Sequence, residues 1–288
     1  MGYDYGKIWV VGAYGRVGSI IREMLDIRKV EILETDIDDV DITDVEAVST
    51  YAQRNRPNTI INCAGMTDME ACEKNVEQAY RVNALGARNL SAAARRVNAL
   101  MIQLSTDDVF YDGKRTLRNE FDQPNPVTVY GKSKLAGENF VKELTPKHLI
   151  IRSSWVYGHG KNFVNYVLDE SKKGHDIQVP DNQFASPTSA KELAKCVLRL
   201  IKSGQEGVFH AVCQGDCSRM EFAQEILNIT GKTDVKLVSK VMTDPDMGIA
   251  MPEYTVLDTL MLRMCQVEPL PDWKTALKDY IGESNDGN

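Results

Sequence analysis

The chain is poor in the residues from which several kinds of site are built. It has four histidines and six cysteines in 288 residues, and no Cys or His pair stands at the spacing of a zinc site. Cys213 and Cys217 come nearest, with no histidine beside them. No metal is expected, and the scattered thiols read as free cysteines of a reducing compartment. No apolar run approaches the roughly 18 residues of a membrane span, and the first residues, Met-Gly-Tyr-Asp-Tyr-Gly-Lys, lack the basic-then-apolar pattern of a secretion signal. The expectation is a cytoplasmic protein with no membrane partner. Positive charge is also short: 34 Lys+Arg stand against 41 Asp+Glu, a net charge of −7. Nothing global recruits nucleic acid. An anionic ligand must therefore be held locally, by helix N-termini, backbone amides or a few placed cations.

What is present is an ordinary globular composition, 43% hydrophobic and 26% charged, carrying strong local patterns. Lys7-Ile-Trp-Val-Val-Gly12 is an apolar run that leads into Ala-Tyr14-Gly15-Arg16-Val17-Gly18 and a periodic helix from Val17 to Leu25. Strand, glycine turn and helix in that order form a dinucleotide cradle. Gly12 and Gly15 allow the tight turn and close approach to a pyrophosphate, and Gly18 lets helix and strand pack closely. A second strand, Val30–Glu34, ends at Thr35-Asp36. An acid there suits the adenosine ribose hydroxyls and favours NADH. Arg16 could instead pair with a 2′-phosphate, and Asp36 could be a turn residue, since Asp38, Asp39 and Asp41 follow it.

Asp41-Ile42-Thr43-Asp44 reads as the capped start of a helix, and Thr59–Gly65 as a third strand. Val76 to Asn98 reads as one long helix, with Asn83, Gly86 and Asn89 interrupting an Ala-rich face. A fourth strand, Leu100–Leu104, delivers Ser105-Thr106-Asp107 to the carboxyl edge of the sheet, where a hydroxyl can hold a substrate oxygen or cap a turn. After an irregular loop from Asp112 to Pro126 comes Thr128-Val-Tyr130-Gly-Lys-Ser-Lys134. In a helix Tyr130 and Lys134 share one face, and the cation is expected to lower the phenol's pKa toward neutrality. His148–Arg152 is a fifth strand. Apolar strands alternating with helices give an α/β fold, a Rossmann-type doubly wound parallel sheet. Residues 1–152 are assigned to the dinucleotide-binding domain. Residues 153–288 are assigned mainly to a smaller C-terminal substrate-binding lobe, with later segments returning to the sheet.

Gly12-x-x-Gly15-x-x-Gly18, Asn62-Cys63-Ala64-Gly65, Ser105-Thr106-Asp107, Tyr130-x-x-x-Lys134 and Arg152-Ser-Ser-Trp155-Val-Tyr157-Gly158 together resemble the extended short-chain dehydrogenase/reductase superfamily. Within it the chain is most similar to the dTDP-4-dehydrorhamnose reductase family, from Lys7 to about Ile281. Asp41–Asp44, Val129–Glu138, Asn162-Phe163 and Pro187-Thr188 match that pattern in order and spacing. The resemblance implies NADPH- or NADH-dependent reduction of the C4 ketone of a dTDP-linked 4-keto-6-deoxysugar, in synthesis of dTDP-rhamnose for polysaccharide. By it, Thr106, Tyr130 and Lys134 are catalytic. Gly12, Tyr14, Gly15, Arg16, Val17, Asp36, Asp41, Ile42, Cys63, Ala64, Gly65, Asn83 and Ser105 bind the cofactor, with Tyr130, Lys134 and Trp155. Thr67, Thr106, Asp107, Trp155, Asn162 and Gln183 bind the nucleotide-sugar. A homodimer is expected from helix pairing in the superfamily.

The departures fall on the substrate side. Asp108 stands where the family carries tyrosine, Met66 where it carries histidine, and Glu70 and Ala71 where it carries aspartate and lysine. Asn182 and Ala185 replace aspartate and glycine, and Met251 replaces an arginine suited to a diphosphate. They motivate a second reading, a reductase of another nucleotide-linked keto-sugar. A third is a non-catalytic dinucleotide-binding protein like the regulatory subunit of methionine adenosyltransferase. Retention of Thr106, Tyr130 and Lys134 favours an enzyme.

Overall fold

The first apolar run is buried on both sides of its strand, and that fixes the architecture. In the computed structural model, which describes residues 6–111, 113–240 and 252–286, β1 (Lys7–Val11) sends Ile8 and Val10 into one hydrophobic core and Trp9 and Val11 into another. This is the two-residue period of a strand covered on both faces. The buried indole of Trp9 donates to Thr35 Oγ1 at 2.8 Å, so its one polar atom is satisfied within the sheet.

β2 (Glu31–Thr35), β3 (Thr59–Asn62), β4 (Leu100–Thr106) and β5 (His148–Ser153) join β1. Four short strands follow: β6 (Val156–Tyr157), β7 (Ile177–Val179), β8 (Phe184–Ala185) and β9 (Thr188–Ser189). Then β10 (Gly207–His210) returns to the main sheet beside β5. β11 (Cys217–Ser218) and β12 (Leu237–Ser239) pair with β8 and β7, and β6 pairs with β9. The six-stranded sheet has the order β10-β5-β4-β3-β1-β2 and is parallel throughout. The chain leaves β1 outward to β2 and returns on the other side at β3, which opens a crevice at the carboxyl ends of β1 and β3.

Helices cover both faces. α1 (Gly18–Met24) opens the chain's first crossover and α2 (Val45–Asn55) its second; α3 (Met69–Lys74), α4 (Val76–Tyr80) and α5 (Ala87–Val97) lie between β3 and β4, and α6 (Val129–Leu144) precedes β5. α7 (Phe163–Glu170), α8 (Ala190–Ser203), α9 (Arg219–Ile229), α10 (Leu260–Met264) and α11 (Trp273–Asp286) complete the chain. Ile21 of α1 and Leu200 of α8 pack on the Ile8 face; Val48 of α2 and Leu90 of α5 pack on the Trp9 face. All six cysteines carry free thiols, and no described helix is long and apolar enough to cross a membrane.

One expected element is not continuous. The helix expected from Val76 to Asn98 is broken by a π-helical turn, Arg81–Gly86, between α4 and α5. Its residue Asn83 is buried, accepts from Met66 N at 2.9 Å and donates to Met66 O at 3.0 Å and Ser133 Oγ at 3.0 Å. The wider turn aims a side-chain amide at the loop after β3, a use to which π-turns are often put near functional sites.

Candidate active site

The crevice is furnished from three sequence-distant pieces. The turn after β1 is made by Gly12 at φ +73° and closed by Gly15 N donating to Gly12 O at 3.1 Å; a Cβ on Gly18 would stand 2.1 Å from that same oxygen. The loop after β3 is held at both ends: Ala64 N donates to Asn62 Oδ1 at 3.1 Å, and Asn83 grips Met66. The third piece is α6, capped twice. Gly131 N donates to Thr128 Oγ1 at 2.9 Å and Val129 N donates to Glu73 Oε1 of α3 at 2.7 Å, which fixes the first turn that carries Tyr130. Gly131 must be glycine because a Cβ there would lie 2.2 Å from Asp108 O.

Together they enclose a pocket of about 390 Å³. Gly15, Arg16 and Val17 line one end, Cys63, Ala64, Gly65 and Thr67 a wall, and Ser105, Thr106, Asp107, Asp108, Tyr130, Lys134 and Trp155 the rest. Thr106, at the end of β4, is hydrogen-bonded to Tyr130 and also receives Asp108 N at 3.2 Å. The turn-capping reading of its hydroxyl is thus seen, and the same residue lines the pocket. Lys134 Nζ donates to Leu104 O at 2.7 Å. Burial, opposed by the Glu138 charge one turn along α6, brings Lys134 down to about 8.

The structure corrects the expectation that Lys134 lowers the phenol. Burial, and after it the charge of Asp108, pushes Tyr130 above its ordinary value. The phenol stays protonated through neutrality, which suits a proton donor.

Several expected site residues are turned elsewhere. Arg16 does not point toward the end of β2: its guanidinium donates to Val156 O at 3.2 Å, His159 O at 3.4 Å and Lys161 O, clamping a later loop over the glycine turn. It is thereby withdrawn from a 2′-phosphate. Ser105 donates its hydroxyl to Glu138 Oε1 at 2.7 Å, behind the pocket. Asp107 is not a free substrate ligand, because its carboxylate accepts from Ser154 Oγ at 2.7 Å and Thr255 Oγ1 at 2.5 Å. Ile42 is a core side chain and its carbonyl takes the amide of Asn89 at 2.9 Å. Asp41 closes its own turn on Thr43 N at 2.8 Å. Asn162 caps α7 through Asn165 N at 3.1 Å. Gln183 is buried and lines neither described pocket; its carbonyl accepts from Arg219 N at 3.0 Å. Met251 lies outside the described residues.

Asp36 does stand at the end of β2, accepting from Tyr14 N at 3.2 Å and Ile37 N at 2.9 Å, so it is a turn residue and a candidate ribose ligand together. With Tyr14 exposed beside it and a glycine turn next to the pocket, these residues fit a dinucleotide laid from Asp36 to Trp155.

Trp155, at φ +40°, is held in a backbone region that a bulky residue rarely adopts. Its ring packs against a cation that sequence reasoning missed. Arg219, the first residue of α9, lies 3.4 Å over the Trp155 ring and 4.8 Å from that of Phe163. Burial lowers it to about 10, with the Asp107 charge opposing. Arg219 also lines a second cleft of about 660 Å³ with Lys161, Asn162, Phe163, Tyr166 and Lys173. It meets the first pocket only through the Trp155 ring, which lines that pocket. A lone arginine opening a helix carries no distinctive pattern; only its position after the capping Ser218 placed it at an ordered turn.

Behind the pocket, buried Arg152 donates to Glu138 Oε1 at 2.9 Å and Oε2 at 2.7 Å. Burial works to raise Glu138, but the hydrogen bonds and charge of Arg152 outweigh it and hold the carboxyl below its usual range.

Known proteins resemble the chain along nearly its whole length. The family profile described as RmlD substrate binding domain matches residues 6–285. A dTDP-4-dehydrorhamnose reductase from Clostridium acetobutylicum superposes with a TM-score of 0.94 at 40% identity, covering 97% of this chain and 99% of that one. One from Bacillus anthracis, solved in complex with NADP, gives 0.93 at 34% identity, covering 96% and 99%. A spore coat polysaccharide biosynthesis protein of Bacillus subtilis is 33% identical over 279 residues, 96% of this chain and 97% of that protein.

Proposed function

The chain belongs to the RmlD substrate binding domain family, and from that membership and its pocket we propose that it reduces the C4 ketone of a dTDP-linked 4-keto-6-deoxysugar, using NADPH or NADH. The observation that carries the reading is the Thr106–Tyr130 hydroxyl pair, in one pocket with Lys134 and continuous with the glycine turn. When bound, the reduced nicotinamide supplies a hydride. Thr106 and Tyr130 hold the ketone oxygen between two hydroxyls, and Tyr130 gives its proton to the alkoxide as charge develops. Lys134, charged below about pH 8, holds the nicotinamide ribose and steadies the phenolate left behind. The glycine turn holds the pyrophosphate and Asp36 the adenosine ribose. The test is oxidation of reduced coenzyme by the pure protein with the dTDP-4-keto-6-deoxy-L-sugar. Coenzyme binding without oxidation would overturn it.

Arg219 supplies the cation that Met251 does not. It faces the outer cleft with Lys161 and the aromatic rings of Phe163 and Tyr166, a setting for a diphosphate and a stacked base. Arg219→Ala is expected to raise KM for the nucleotide-sugar about thirtyfold, roughly 2 kcal/mol, with kcat within about threefold. An unchanged KM would place the diphosphate elsewhere.

At the other end, Arg16 is tied to the later loop and Arg22 pairs with Glu34 at 3.1 Å, while Asp36 meets the ribose. That arrangement favours NADH. Asp36→Ala should weaken NADH binding about tenfold and NADPH binding less, read by coenzyme fluorescence titration. An unchanged affinity ratio would remove Asp36 from the ribose site.

A further inference from the structure

Asp108 has no part in the reading above, yet it stands in the pocket. It is the middle residue of the short turn Asp107–Val109 that ends β4. Its Oδ2 accepts from Thr106 Oγ1 at 3.3 Å, and Thr106 is hydrogen-bonded in turn to Tyr130. A continuous line of exchangeable protons therefore runs from the pocket wall to the phenol. We propose that Asp108 restores the proton of Tyr130 after each reduction, through the Thr106 hydroxyl. This rests on the reductase reading and deepens it; Asp108 acts through Thr106 and is a positioning residue for the proton.

The step balances. Once Tyr130 has protonated the alkoxide, the phenolate takes the Thr106 hydroxyl proton while Thr106 takes the Asp108 carboxyl proton. One O–H bond breaks at Asp108 and one forms at Tyr130, and the carboxylate recovers its proton from water in the open pocket. Asp107 Oδ1 also accepts from Thr106 Oγ1, at 3.2 Å, but its Oδ2 is held by Ser154 and Thr255 and the residue is buried, whereas Asp108 is partly open to the pocket and can exchange its proton with water. The groups around the line are Asp107 on the same turn, Tyr130 and Lys134 on α6, Cys72 on α3 and Arg219 on α9. Burial, then the charge of Asp107, raises Asp108 to about 8, with Arg219 opposing. At neutral pH its carboxyl thus carries the proton that the line needs, and loses it as the pH passes about 8.

The experiment compares wild type, Asp108→Asn and Asp108→Glu in single-turnover and steady-state oxidation of reduced coenzyme by the keto-sugar, from pH 6 to pH 9.5 in H2O and D2O. Titration of ¹³C-labelled aspartates in the coenzyme-free proteins accompanies it. Asp108→Asn should keep its first turnover within about twofold, since Tyr130 starts protonated, and lose about tenfold in steady-state kcat. Its alkaline limb should be one proton shallower, its solvent isotope effect larger, and a carboxyl titrating near pH 8 should vanish from the spectrum. Asp108→Glu should recover most of kcat. Wild-type kcat and pH limb in Asp108→Asn would overturn the relay, as would equal loss in both regimes with an unshifted pH profile. Absence of a first turnover in wild type would instead overturn the reductase reading.

Discussion

Tyr130→Phe is expected to lower kcat by about 10³-fold, the centre of the range for a positioned proton donor, while the coenzyme dissociation constant changes by less than about twofold. The asymmetry follows from the structure. The ring of Tyr130 stays in place because α6 is fixed by Thr128 and Glu73 at its first turn, and phenylalanine fills the same space. What is lost is one O–H, the group hydrogen-bonded to Thr106. Burial keeps that O–H protonated across the neutral range, so wild-type kcat should show no acid-side requirement for a phenolate. Initial rates and coenzyme titration on the two proteins decide it. A variant that keeps wild-type kcat would remove Tyr130 from proton donation.

The largest effect on stability is expected at Glu138. Glu138→Ala removes a fully buried carboxylate and leaves the Arg152 guanidinium, itself 1% exposed, beside the Phe110 ring at 5.0 Å and the His210 Nε2 at 3.4 Å. Neither neutralises it. His210 is itself driven down to about 4 by burial and then by the Arg152 charge, and stays neutral. Breaking a buried pair from one side costs about 3–5 kcal/mol, far more than losing an exposed pair such as Lys74–Glu70. The folded state holds Glu138 below its unfolded value. Its contribution is therefore complete above the ordinary carboxylate range and fades as pH falls through the folded value. Urea unfolding of wild type and variant should show the full gap at pH 7 and a narrowing gap in acid. A gap below about 1 kcal/mol at pH 7 would show that the pair is not holding the fold. Lys134 would also lose the carboxylate that opposes its burial, and should shed its proton at lower pH.

The parts of this molecule legible in the sequence are those specified by neighbouring residues. The glycine turn, the capped helix start at Asp41–Asp44, the apolar strands and the Tyr130–Lys134 spacing are all local patterns; Asp44 is the cap, and each strand forms on its apolar run, the third stopping at Asn62 short of Gly65. What could not be read depends on residues far apart in the chain. Arg16 finds carbonyls near residue 160, Ser105 finds Glu138, and Asp107 finds Thr255; each looked like a free ligand only because its partner was out of view. The π-helical turn escaped notice because Val82, Asn83 and Gly86 weaken a helix without showing where it will widen, and the partners that Asn83 grips, Met66 and Ser133, are far away in the chain. Tyr130 was misjudged for a related reason. The lysine four residues away was visible, whereas the burial and the acid from the β4 turn were not.

The return of β10 to the sheet bears on how the chain is made. β5 ends at Ser153, and the strand that covers its outer edge begins only at Gly207. At about 5–20 residues per second, a ribosome needs several seconds to cross that interval. Throughout it the nascent sheet presents β5, with Leu149, Ile150 and Ile151 at its centre and unpaired backbone on one side, a ready template for another chain. Synthesis of the middle of this protein is thus an interval in which chaperones have an open edge to shield, and an interruption there leaves exposed a strand edge that the finished molecule covers.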